Sequence, residues 1–200
     1  MAKKKQVGRR VEGWKAKSWY KVYTPENLGK AYIGDTIAND PETLIGRVMQ
    51  TTLGEILNDY AKQNVKMLFK VTSIAGDAVY TDFVGHEITR DYLRSLVKRR
   101  TTRIDCHIPI TSREGYAVHI TATCYTLNRA NLSQTHAIRG LITAHVTSAM
   151  QGSDMTSLVN GIISGELAKE LFKIVKSIFP VRRVEIIKSK VEIPLTPHAA

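Results

Sequence analysis

From Arg103 to Tyr125 the chain alternates apolar and polar residues in two runs on either side of a polar turn. Ile104, Cys106, Ile108 and Ile110 alternate with Arg103, Asp105, His107 and Pro109. Beyond Ser112-Arg113-Glu114-Gly115, the residues Tyr116, Val118, Ile120, Ala122 and Cys124 alternate with His119, Thr121, Thr123 and Tyr125. A period of two is the signature of a strand with one buried face, so the stretch predicts an antiparallel hairpin covered on one side. Pro109 has no N–H to donate, which predicts an edge or a bulge for the first strand.

Around this hairpin the other segments fall into a clear order. Ser18–Tyr23 alternates in a strand-like way, and residues 30–37 and 46–53 are short and β-branched. Residues 65–74 and 78–84 flank Ala75-Gly76-Asp77 and predict a first hairpin, with Met67, Phe69 and Val71 at period two. Thr89 is an expected N-cap for a helix over 90–99. Three more helices are expected over 134–150 (capped by Ser133), 154–163, and from Ser164 to Pro180. The last of these has Leu167, Leu171, Ile174, Val175 and Ile178 in one stripe. Residues 184–193 return to strand. Strands and helices do not alternate, so a doubly wound sheet is excluded. The expected class is α+β: a curved antiparallel sheet or barrel-like body flanked by helices. The expected division is an arm over 1–17, one domain over 18–193 and a fraying tail over 194–200.

The arm supplies the functional lead. Lys3, Lys4, Lys5, Arg9, Arg10, Lys15 and Lys17 face a single acid, Glu12, with Trp14 and Trp19 among or just after them. Such a segment cannot bury enough apolar surface to fold alone and is expected to be disordered until bound. Cations suit a polyphosphate, and aromatic rings suit base stacking or packing on a partner. The 200-residue chain has a net charge of +11. A membrane surface or an acidic protein would also attract that charge. The distribution is more telling. Residues 22–89 have five bases against nine acids, whereas Arg90–Arg139 has nine bases against three acids. The basic start runs into Trp14, Lys15 and Lys17 with no apolar stretch behind it, which predicts no secretory signal and a cytoplasmic chain with no membrane role.

Motifs for catalysis are missing. Gly29-Lys30 fails as a phosphate loop, because Thr24 stands where the first glycine belongs and Ala31 follows the lysine. Cys106 and His107 are strand neighbours and point to opposite faces. Glu166 and Glu170 sit beside Lys169 and Lys173, as on a solvated helix face. With Ser112–Gly115 as the turn, Cys106 is expected opposite Thr121 and Cys124 opposite Arg103, with sulfurs roughly 10 Å apart and unable to bridge. No catalytic residue, metal site or cofactor is expected.

The leading site candidate is Lys98-Arg99-Arg100-Thr101-Thr102-Arg103, where a helix ends and a strand begins. Cations complementing a helix C-terminus would account for one or two of the four. Phosphate contact accounts for all of them. Arg90 lies on the same helix, and Arg129, with Asn128 and Asn131, sits in a polar loop after the hairpin. Lys188 and Lys190 share one face of the last strand, where edge protection is the alternative.

Several segments together resemble a known family. They are Trp19-Tyr20 after the basic arm, Asn27-Leu28-Gly29-Lys30, Gly46-Arg47-Val48 and Leu57-Asn58-Asp59. Phe83-x-Gly85-x-Glu87-x-Thr89-Arg90-Asp91, then Ser95-Leu96-Val97-Lys98, is the most specific; Gly115-Tyr116 and the loop around Arg129 agree. In order and spacing they resemble the archaeal and eukaryotic small-subunit ribosomal protein family called S-three-a-e, or e-type S-one. The resemblance runs from Ser18 to about Lys190. It implies a β-barrel-like body bound to small-subunit ribosomal RNA on the platform, near the messenger-RNA exit and the rRNA 3′ end. Implied partners are that rRNA, neighbouring ribosomal proteins and messenger RNA near the exit, with no catalytic or cofactor role. The chain ends soon after its last strand, without the long basic C-terminal extension of eukaryotic relatives, which implies an archaeal-type member. A free-standing RNA-binding regulator is the alternative.

Overall fold

The computed structural model describes residues 17–192 apart from Glu114 and Gly152. The chain divides into two units: residues 17–49 with Phe69–Asp82, and Gln50–Leu68 with residues 83–192. Strands β1 (Ser18–Tyr23), β2 (Tyr32–Ala38) and β3 (Val48–Thr52) come first. Helix α1 (Leu53–Leu57), strands β4 (Val65–Ala75) and β5 (Ala78–Ile88), and helix α2 (Arg90–Leu96) follow. Then come β6 (Arg103–Thr111), β7 (Ala117–Thr126), α3 (Leu132–Met150), α4 (Met155–Ser164), α5 (Glu166–Val175) and β8 (Val181–Glu192). The class is α+β, as the segment order requires.

In the first unit β1 pairs antiparallel with β2 and parallel with the start of β5. Tyr20 and Val22 point inward with Ala38, Leu44, Val71 and Val79 to form a small core. The opposite face presents Trp19 opposite Ile37 and a row of Tyr32, Tyr23 and Tyr80. The rings in that row have centroids 6.2 and 6.3 Å apart.

The second unit has the larger core. Its strand order is β5-β8-β7-β6. Ile104, Cys106, Ile108 and Ile110 on β6 meet Val118, Ile120, Ala122 and Cys124 on β7, all buried. Helix α3 covers them with Ile138, Ile142, Val146 and Met150, an unbroken i, i+4 stripe, and α5 adds Leu167, Leu171 and Val175. Each fully buried Ile or Leu contributes about 2 kcal/mol, so this face dominates the stability of the unit.

Four expectations are corrected by the structure. The hairpin register is one residue off the predicted one: Cys106 pairs with Ala122 and Cys124 with Ile104. Cross-strand partners share a face, so apolar even-numbered residues must meet even-numbered residues; the predicted register would have set Cys106 against the polar Thr121. Both thiols are free and buried, and burial pushes Cys124 up to about 12, which keeps it protonated and inert. Residues 46–53 are not one strand, because Thr52 caps α1. The Thr52 Oγ1 accepts from the Glu55 N–H, and the Glu55 carboxylate accepts from the Thr52 N–H, both at 3.3 Å. Thr-x-x-Glu is the sequence signature of such a capping box and marks the helix start here. The cap of α3 is Asn131, whose N–H donates to Gln134 Oε1 at 3.0 Å, and not Ser133. Edge protection by Lys188 and Lys190 also fails. Strand β8 lies between β5 and β7, while β6, with its Pro109, is the edge strand as expected.

Candidate nucleic-acid interface

Helix α2 stops at Leu96, where Val97 turns extended. A tight turn follows, with the Thr101 hydroxyl donating to the Lys98 carbonyl at 2.6 Å. Arg100 takes a left-handed backbone with φ of 63°. For a residue with a Cβ that conformation costs about 1 kcal/mol, so surrounding contacts must hold it. Thr102 provides them. Its N–H donates to Thr126 Oγ1 at 2.8 Å, its carbonyl accepts from the Thr126 N–H at 3.0 Å, and its hydroxyl accepts from the Ala130 N–H at 3.0 Å. One half-buried seam therefore ties the turn before β6 to the loop after β7.

This seam brings distant arginines together. Arg100, Arg103, Arg129 and Arg139 line one open groove of about 570 Å³, with Leu132 and Thr135 completing its wall. No acid lines it. Asp105 sits just behind: its Oδ1 accepts from Arg103 Nε at 2.9 Å and from the Thr123 hydroxyl at 2.6 Å, and its carbonyl accepts from Arg139 Nε at 3.3 Å. Asp105 thus aims two guanidinium groups: its carboxylate pairs with Arg103, and its carbonyl holds Arg139 without offsetting that charge. Four planar forks on a concave surface match phosphate oxygens, which accept bidentate hydrogen bonds.

Of the sequence candidates, the structure unites Arg100, Arg103 and Arg129. Lys98 and Arg99 are exposed on the same turn but do not line the groove. Arg90 lines a different, mixed-charge groove with Lys66, Arg94, Glu87 and Asp91. Lys188 and Lys190 are exposed on β8, and Lys190 pairs with Glu192 at 2.8 Å. Trp19 is 63% exposed on β1, and Lys17 is exposed just before it. Lys3, Lys4, Lys5, Arg9, Arg10, Trp14 and Lys15 lie outside the described residues. Arg139 was counted in the basic stretch but not singled out. It lies 36 positions from Arg103, and only the packing of α3 on β6 joins them. Among the described residues no group of His, Cys, Asp or Glu is arranged to hold a metal ion, and no helix is long and apolar enough to cross a membrane.

The chain matches the Ribosomal S3Ae family over residues 4–194. It belongs to that family. The small ribosomal subunit protein eS1 of Methanoregula boonei is 65% identical over 96% of both chains. The protein of the same name from Methanospirillum hungatei is 60% identical over 97% of this chain and 98% of its own. That from Methanothermobacter thermautotrophicus is 38% identical over 92% and 94%. These relatives agree with the archaeal-type reading.

The segment that most specifically carried the family resemblance has a structural reason. Gly85 on β5 lies opposite Lys190 on β8, and a side chain there would collide with the Ser189 carbonyl. Next to it, His86 is 2% exposed and fully bonded. The His86 N–H donates to Ser189 Oγ at 3.1 Å, Ser189 Oγ lies 2.6 Å from Nδ1, and Nε2 lies 3.0 Å from the Ile186 carbonyl. A neutral ring protonated on Nε2 satisfies every partner. Burial holds this imidazole below the usual histidine value of about 6.5, so folding favours the uncharged form. Its stabilisation is present above about pH 6.5 and lost as pH falls toward the folded pKa, by at most about 1.4 kcal/mol per pH unit. Urea unfolding between pH 7.5 and 5 should show this decline, and the His86→Gln variant should show a flatter one. Equal slopes in both proteins would assign the acid sensitivity elsewhere.

Proposed function

We propose that this chain is a structural constituent of the small ribosomal subunit and binds ribosomal RNA through phosphate contacts in the arginine groove. The observation that carries the reading is the groove of Arg100, Arg103, Arg129 and Arg139, which no acid among the described residues lines. It is built from three separate parts of the chain and held by a half-buried hydrogen-bonded seam. The small-subunit assignment rests on family membership and on relatives named as small-subunit proteins.

In this reading the arm over residues 1–17 adds seven cations to the same polyanion, and Trp19 and the exposed lysines of β8 extend the footprint. The chain works in the cytoplasm on the subunit platform, near the messenger-RNA exit and the 3′ end of the rRNA, among neighbouring ribosomal proteins. Sucrose-gradient sedimentation at high salt, with RNA crosslinking in intact cells, tests this. The chain should move with small subunits and crosslink to their rRNA. A chain that stays at the top of the gradient and crosslinks elsewhere is a free-standing RNA-binding protein. Deleting residues 1–17 should leave cooperative unfolding intact and lower the salt dependence of RNA binding, since fewer counterions are released.

A further inference from the structure

Helix α5 lies against β8, and a second groove of about 700 Å³ opens between them. Its floor is apolar, formed by Ala168, Phe172 and Val184; Lys169, Lys173 and Arg182 are exposed around it. Lys169 and Lys173 read in the sequence as half of a solvated ion-pair face with Glu166 and Glu170. The fold separates them: both lysines line this groove and neither glutamate does. The one acid among the described residues in the lining, Glu185, is already engaged. It accepts from Arg183 Nε at 2.6 Å and from the Tyr92 hydroxyl at 3.2 Å, and the Arg183 guanidinium lies 5.8 Å from the centre of the Tyr92 ring. The groove therefore presents positive charge around a half-buried aromatic ring.

We propose that this groove holds an unpaired nucleotide of single-stranded RNA, with its base on the Phe172 floor and its phosphates against Lys169, Lys173 and Arg182. The proposal deepens the RNA-binding reading and rests on it. Two features select the ligand. The cations call for a polyanion. The apolar, aromatic floor calls for a flat ring, which a duplex keeps stacked inside but a single strand can splay out. The arginine groove lacks such a floor and is suited to phosphates alone. The volume also suits a group of nucleotide size.

The test uses the full chain with three probes: a labelled uridine dodecamer, a 12-base-pair RNA duplex and free UTP. Phe172→Leu keeps an apolar side chain against the core but removes the ring. It should weaken dodecamer binding by about 10-fold and leave duplex binding unchanged. Lys169→Gln with Lys173→Gln, both on exposed residues, should lower the salt slope for the dodecamer by about 1.4, from about 0.7 per phosphate contact on single strands. A dodecamer containing 4-thiouridine should crosslink within residues 165–185. The inference is overturned if the dodecamer is indifferent to both variants, if duplex affinity falls in step with it, or if UTP binds as tightly as the dodecamer. A wild-type chain that binds neither RNA would overturn the RNA-binding reading itself. Normal duplex binding beside an indifferent groove would overturn only this inference.

Discussion

Gly85→Ala is expected to destabilise the chain by about 3 kcal/mol, a large effect for one methyl group. The added Cβ would press on the Ser189 carbonyl and come within 3.4 Å of the Lys190 Cα. Both are backbone atoms of β8, which is paired on its other side with β7 and cannot retreat without opening that ladder. The displacement would also pull Ser189 from His86, and a buried ring that loses its partners is costly. Urea unfolding of the variant should show a lower midpoint at unchanged slope. Gly140→Ala is the control. Gly140 lies exposed in α3 with open space where its Cβ would go, and alanine there should stabilise by up to about 1 kcal/mol. If Gly85→Ala unfolds at the wild-type midpoint, the close approach of β5 and β8 is not what this position enforces.

The second large effect concerns RNA. Changing Arg100, Arg129 and Arg139 together to glutamine should lower the salt slope of duplex binding by about 2.7, from about 0.9 per phosphate for three contacts. At physiological salt that corresponds to about a 100-fold loss of affinity. The loss should be uniform across sequences, because phosphate contacts position without reading bases. Thermal stability should barely move, since among the described residues none of the three forms an ion pair with a carboxylate, and Arg139 gives up one exposed hydrogen bond to the Asp105 carbonyl. Arg103 is left in place because it is paired with Asp105. The matched control changes Arg90, Lys98 and Arg99 to glutamine, which removes the same charge outside the groove. A control as damaging as the groove triple would mean that net charge, not the groove, drives binding.

Local pattern made much of this legible. Strand β1 was read to the residue, both hairpins were found, and the stripe Leu167, Leu171 and Val175 marked the buried side of α5. These rest on periodicity and on turn residues, which act between near neighbours and are written directly in the chain. Family membership was legible for a related reason, since order and spacing of short segments survive without knowledge of contacts. What went astray needed knowledge of what lies across the chain. The hairpin register depends on which faces meet, and only the pairing of β5 with β8 removes edge protection as the alternative role of Lys188.

The sequence by itself therefore determined the class, most of the elements, the family and the basic stretch from Arg90 to Arg139. Tertiary structure alone decided which cations act together. Arg100 and Arg129 meet because Thr102 and Thr126 bond across β6 and β7, and Arg139 joins them because the apolar stripe of α3 packs on β6. Lys169 and Lys173 part from Glu166 and Glu170 because the helix turns only one side toward β8. A charge becomes part of a site through the side chains packed beneath it, and that packing joins residues far apart in the chain by burying apolar surface; local spacing shows which face is buried, but an interaction without direction does not show what that face is buried against.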